Sequence, residues 1–186
     1  MHYYNLGDLK KDCLIDLNFH KLYKRFCPGP ISFVLKLKRN SCISKNVTNN
    51  NKTIAVRFPS HKLTRNLLKI LKYPLAAPSA NLSKQISPVS KSDVVEEFGK
   101  KIKFVLDGGQ SKIGVESTIV SLIGKPKILR LGGIERKTIE KFFIYKNKIK
   151  YNKKKIAVPG QGKVHYSPGI PIRLNVKHPK KKEAYI

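Results

Sequence analysis

The chain has 186 residues, 40% hydrophobic and 27% charged, with 39 Lys and Arg against 11 Asp and Glu for a formal net charge of +28. This length suits about one domain with a real core, and the apolar share excludes disorder along most of the chain. No apolar run approaches the roughly 20 residues a membrane helix needs and no secretory signal is read at the start, so no membrane association is expected and the cytoplasm is the expected compartment.

In chain order, Leu9, Cys13, Leu17, Leu22 and Phe26 recur at near-helical spacing and predict an amphipathic helix over Asp8 to Phe26, ended by Cys27-Pro-Gly-Pro30. ISFVLKLK, residues 31 to 38, predicts a strand. Asn40 to Asn51 reads as a polar, mobile loop, Thr53 to Phe58 as a second strand, and His61 to Lys72 as a helix. Pro74 to Ala77 reads as a short buried strand. Ser90 with Asp93 resembles a capping box for a helix ending at Gly99. Three more strands are expected at Ile102 to Leu106, Ser117 to Leu122 and Lys127 to Leu131, then a helix over Glu135 to Phe143. Asp107-Gly108-Gly109 is read as a structural turn and His61 as a helix-start residue. Strands mixed with helices predict an α+β domain of α/β-type layers: a twisted mixed sheet flanked by helices.

The charge admits two explanations. Clustered Lys and Arg gain affinity for phosphate backbones by releasing counterions. Lys, Asn and Ile also share AT-rich codons, so base composition supplies much of the basicity without a ligand, and arginine, the better bidentate phosphate reader, is scarce. Cys13, Cys27 and Cys42 show no metal-ligand or redox spacing and are expected as reduced thiols.

Against this background LAAPSANLSKQISP, residues 75 to 88, is small, neutral and turn-forming. Pro78 followed by Ser-Ala-Asn sets a rigid turn beside a hydroxyl and an amide, and small residues let a ligand approach the backbone. By itself a Ser/Asn turn is more often structural. Four other stretches share its order in the chain: PGPIS (28 to 32) and TIAVRFPSH (53 to 61) before it, DGGQSKIGVESTIV (107 to 120) and ILRLGG (128 to 133) after it. Together they strongly resemble the YrdC-like family of threonylcarbamoyl-AMP synthases over nearly all of residues 1 to 135. VPGQGKVHYSPGIP is similar to the linker of the longer two-domain members.

The resemblance implies a nucleotidyltransferase that joins L-threonine, bicarbonate and ATP, with Mg²⁺ screening the triphosphate, into threonylcarbamoyl-adenylate and pyrophosphate. The product would serve a downstream tRNA threonylcarbamoyl transferase machinery, and because some members bind RNA, tRNA or double-stranded RNA is an expected partner. Attack on the α-phosphorus builds charge on phosphate oxygens, so such a site needs fixed cations and donors and not a covalent nucleophile. No catalytic residue and no protein metal ligand are assigned. On the matching positions Ser79, Asn81 and Ser87 would hold the nucleotide with Thr53 nearby, and Arg130 its phosphates or ribose. Arg57, with Ala77, Ser117 and His2, would take threonine. His165 and Tyr166 would fold over the site, although a surface linker His fits the residues equally well.

The implied organisation is a synthase domain over residues 1 to 144 lacking its N-terminal segment, a linker over 145 to 172, and the start of a truncated C-terminal domain over 173 to 186. A PTET-VYGLG-like stretch and a K-x-R motif typical of complete members are not found, so activity is expected to be impaired. Two alternatives stay open: a YrdC-like domain of a carbamoyltransferase, and a non-catalytic RNA-binding protein.

Overall fold

The computed structural model describes residues 1–82, 85–143, 176–178 and 180. Ile31–Lys36 (β1), Thr53–Arg57 (β2), Thr118–Ser121 (β3) and Lys127–Arg130 (β4) form one mixed sheet in the order β2-β1-β3-β4. β1 runs antiparallel to β2 and parallel to β3, and β3 antiparallel to β4. The parallel pair requires a long crossover, and three of the six helices among the described residues lie within it. The helices are Leu6–Asp12 (α1), Leu17–Phe26 (α2), Lys45–Thr48 (α3), Lys62–Leu71 (α4), Lys91–Phe98 (α5) and Arg136–Glu140 (α6). The α+β class with a mixed sheet and helical cover is as expected from the sequence.

Both central strands are buried on both faces, which is why ISFV and TIVS read as continuous apolar and hydroxyl runs. α2 lays Phe19 and Leu22 on the sheet, with the Phe19 ring edge-on to Phe33 at 5.0 Å. Tyr23 meets Phe58 edge-on at 4.8 Å. The fully buried Phe19, Leu22, Phe33 and Phe58 side chains each contribute about 1.5–3 kcal/mol.

The helix expected over Asp8 to Phe26 is two. Asp16 caps α2, its side chain accepting from the Phe19 amide at 2.7 Å. Between the helices Cys13 bridges Leu37, and the Leu14 amide donates to the Lys36 carbonyl at 2.9 Å. Pairing with the end of β1 outweighs a continuous helical stripe. The loop expected over Asn40 to Asn51 contains α3, started by Ser44.

Two expected strands do not form. Of Pro74 to Ala77 only Leu75 pairs, exchanging amide bonds of 2.7 and 3.0 Å with His2, and Ala77 is exposed. Ile102 to Leu106 has strand-like residues but no ladder partner among the described residues, and Phe104 is 91% exposed. β-branched and aromatic side chains favour a strand only where a neighbour supplies the other half of its hydrogen bonds. The Ser90–Asp93 capping box does form: the Asp93 amide donates to Ser90 Oγ at 3.2 Å, and the Ser90 amide to Asp93 Oδ2 at 3.0 Å.

Candidate functional site

Sheet register builds the site. Arg57 pairs with Ser32, Ser32 with Ile119, and Ile119 with Arg130, so the four lie in one row across the sheet. Residues directly opposite in a sheet share a face, which puts both guanidiniums on the same side, from opposite edges roughly 14 Å apart at the backbone. Their long side chains turn inward over a solvent-open cavity of about 580 Å³ lined by Arg57, Ser87, Glu116 and Arg130, with Ile86, Val115 and Leu131 as its apolar part.

Arg130 is 14% exposed and tightly held. Its Nε and Nη2 donate to the Ser117 carbonyl at 3.1 and 3.0 Å, and Nη2 also to Ser117 Oγ at 3.1 Å. A fork this constrained presents a fixed charge with little side-chain entropy left to lose. Gly132 makes the arrangement possible, since a Cβ there would lie 2.6 Å from Ser117 C and Thr118 N. Only glycine lets the chain leaving β4 cross so close over Glu116–Thr118.

Arg57 donates from Nε to the Gly29 carbonyl at 3.3 Å. Burial pulls its pKa below the ordinary value; Glu116 pushes back, and Arg130 adds to the fall. Glu116 was not singled out in the sequence, although an acid inside an otherwise hydroxyl and apolar motif of so basic a chain was a usable signal. Its carboxylate accepts from Ser87 Oγ at 2.6 Å and from Arg130 Nη2 at 3.4 Å.

The remaining sequence candidates fall into four groups. Ser117 lies beneath Arg130, 4% exposed, its hydroxyl 2.8 Å from that of Ser32. Asn81 is joined to the cavity through Ser87, whose hydroxyl lies 3.4 Å from Asn81 Oδ1, while the Asn81 amide donates to the Leu82 and Gln85 carbonyls of its own loop. Thr53, Ala77, Ser79 and His2 do not line the cavity. Thr53 shares a face with Arg57 but sits at the other end of β2, roughly 13 Å away. Ala77 and Ser79 are exposed. His2 bridges both Arg57 and Leu75, and its Nδ1 is buried without a hydrogen-bond partner. Burial first, then the N-terminal ammonium and Arg57, hold its pKa down at about 4, so the ring is neutral at pH 7. His165 and Tyr166, with the whole of the expected linker, lie outside the described residues.

Burial pushes the Cys27 thiol up to about 12, well away from a thiolate at neutral pH. Among the described residues no three His, Cys, Asp or Glu side chains gather as a metal site. Among the described residues the cavity therefore offers two guanidiniums, two serine hydroxyls, one carboxylate and an apolar patch, a combination that suits a ligand with anionic groups on a partly apolar body.

The Sua5/YciO/YrdC family, described as telomere recombination, matches residues 1–132 of this sequence. The chain belongs to that family. This Sua5/YciO/YrdC chain is 37% identical over 160 residues to the threonylcarbamoyl-AMP synthase of Pyrococcus abyssi, covering 81% of this chain and 45% of that protein. It is likewise 37% identical over 158 residues to the threonylcarbamoyl-AMP synthase of Bacillus subtilis, covering 82% of this chain and 45% of the relative. It thus spans less than half the length of these curated relatives. Its fold superposes on the crystal structure of P. abyssi Sua5 complexed with L-threonine with a TM-score of 0.74 at 37% identity, over 80% of this chain and 44% of the other.

Proposed function

We propose that this chain carries the adenylate-forming centre of a threonylcarbamoyl-AMP synthase, in which L-threonine, bicarbonate and ATP give threonylcarbamoyl-adenylate and pyrophosphate. What supports this most is the single row Arg57–Ser32–Ile119–Arg130, which aims two guanidiniums over one cavity in a chain this similar to named synthases. In this reading Arg130 and Arg57 hold the anionic groups of nucleotide and threonine, Ser87 supplies a hydroxyl contact, and Ile86, Val115 and Leu131 take apolar surface of the nucleotide. Asn81 fixes the loop that presents Ser87. Ser117 acts by holding Arg130 in place. His2, Thr53, Ala77 and Ser79 would join only through movement of their segments or through ligand atoms that extend beyond the cavity.

Fixed cations facing a phosphorus centre stabilise the charge that develops on its oxygens during attack, without reorganisation at the moment of reaction. Mg²⁺ enters as part of the Mg·ATP substrate, carried by the phosphates, since among the described residues the cavity offers a single carboxylate and octahedral Mg²⁺ is commonly held by one or two carboxylates together with substrate phosphates. The free thiols Cys13, Cys27 and Cys42 fit a cytoplasmic enzyme.

The test is ATP binding to the chain by titration calorimetry. Arg130→Ala removes charge-assisted hydrogen bonds worth about 1.5–3 kcal/mol and should weaken ATP about 10- to 150-fold. ATP binding indifferent to both Arg130→Ala and Arg57→Ala would remove the basis of the reading. Pyrophosphate release that depends on carbamoyl phosphate and not on threonine would favour a carbamoyltransferase instead. A second property, RNA contact, is favoured by the +28 charge alone and predicts affinity falling steeply with salt.

A further inference from the structure

Ser87 and Arg130, the groups best placed to meet a phosphate, are both bonded to Glu116. A serine hydroxyl has one proton to donate, and that of Ser87 goes to Glu116 Oε1 at 2.6 Å. Arg130 Nη2 reaches Glu116 Oε2 at 3.4 Å, and the same carboxylate lies close enough to Arg57 to oppose the effect of burial on it. Among the described residues Glu116 is the one carboxylate lining the cavity, and its side chain is 28% exposed, within reach of a ligand and of water. Its backbone is pinned, because its carbonyl accepts from the Gly133 amide at 3.0 Å beneath the Gly132 crossing. The side chain can therefore swing while its anchor stays in place.

We infer that Glu116 fills the anion position of this cavity in the free protein, and that a ligand carrying a di- or triphosphate binds by displacing the carboxylate from Ser87 and Arg130. The inference rests on the nucleotide reading given above and names the residue that sets its selectivity. A phosphate entering beside an undisplaced carboxylate meets like-charge repulsion, which grows as the site becomes drier. Only a ligand bearing several negative charges recovers that cost from two guanidiniums. An uncharged nucleoside leaves Glu116 where it is and gains nothing from Arg130. Glu116 thereby acts as a specificity-determining residue that discriminates against anions too weakly charged to displace it and leaves nucleoside affinity untouched.

Glu116→Gln keeps an oxygen to accept from Ser87 and removes the charge. Calorimetric titration of the full chain in Mg²⁺-free buffer should show E116Q binding inorganic pyrophosphate and ATP about 3- to 10-fold more tightly than the parent, with adenosine affinity unchanged. In the unmutated protein, the ¹³C resonance of the Glu116 carboxyl carbon should move on adding pyrophosphate and stay in place with adenosine, a readout independent of how well E116Q folds. If the parent binds ATP while E116Q binds pyrophosphate no better, or shifts all three ligands alike, displacement is wrong and the nucleotide reading stands. If neither protein binds ATP, both fall together.

Discussion

The sheet with its two N-terminal helices and the long crossover from Lys62 to Val115 are built to different standards. In the first, Tyr3, Leu9, Phe19, Leu22, Ile31, Phe33, Val56, Phe58 and Val120 are wholly or almost wholly inaccessible. In the second, Leu68 is the only buried hydrophobic residue among those described, while Ile70, Phe104 and Leu106 are 75%, 91% and 69% exposed. Polar contacts fasten the crossover to the rest: His61 Nε2 donates to the Gly108 carbonyl at 3.0 Å, Arg65 stacks over Tyr4 at 4.7 Å, and the His2 amide donates to the Leu75 carbonyl at 2.7 Å. Such contacts are worth far less than core burial. The candidate site spans both regions. Its cations stand on the firm sheet and its hydroxyl loop hangs on the weaker arm, with the Ser87–Glu116 bond joining them.

Core truncation should show the contrast most strongly. Phe33→Ala should lower unfolding free energy by about 3–5 kcal/mol in denaturant titrations, whereas Phe104→Ser should stay within about 0.5 kcal/mol. Comparable losses from the two would erase the distinction between the regions.

A smaller effect comes from pH, again on the firm side. His2 titrates at about 4 in the folded protein and near 6.5 unfolded. The unfolded chain therefore takes up a proton first as pH falls. Stability should be intact above about pH 6.5, decline by about 3 kcal/mol on approach to pH 4, and level off below. His2→Gln should flatten that part of the curve, and an unchanged slope would place the titrating group elsewhere.

The smallest effect belongs to the arm. Ser90→Ala removes one half of the capping box at the start of α5, about 1 kcal/mol of local helix stability. If the arm opens independently, hydrogen exchange will accelerate within α5 while sheet amides keep their protection. Uniform acceleration would mean that the two regions unfold as one.

Which elements were legible follows the same division. β1, β2, β3 and β4 were readable because their apolar and β-branched runs coincide with places where a neighbouring strand waits, and the Ser90 cap because both of its partners lie within four residues. The Asp8 to Phe26 stripe misled because a break that sends Cys13 and Leu14 to the end of β1 is a long-range event, and the Ile102 to Leu106 run because its residues favour a strand that has no ladder partner among the described residues. At the site, Arg57, Ser87 and Arg130 were named from motifs and line one cavity, but the motifs gave Glu116 no part.

The sequence by itself determined the family, the order of the strands along the chain and the residue types able to bind an anion, because these depend on local pattern and composition. Tertiary structure decided that Arg57 and Arg130 share a row, that Gly132 must cross over Glu116, and that this carboxylate takes the hydroxyl of Ser87. Each of these depends on strand register and on contacts between residues far apart in the chain, and neither is written in any short stretch of it.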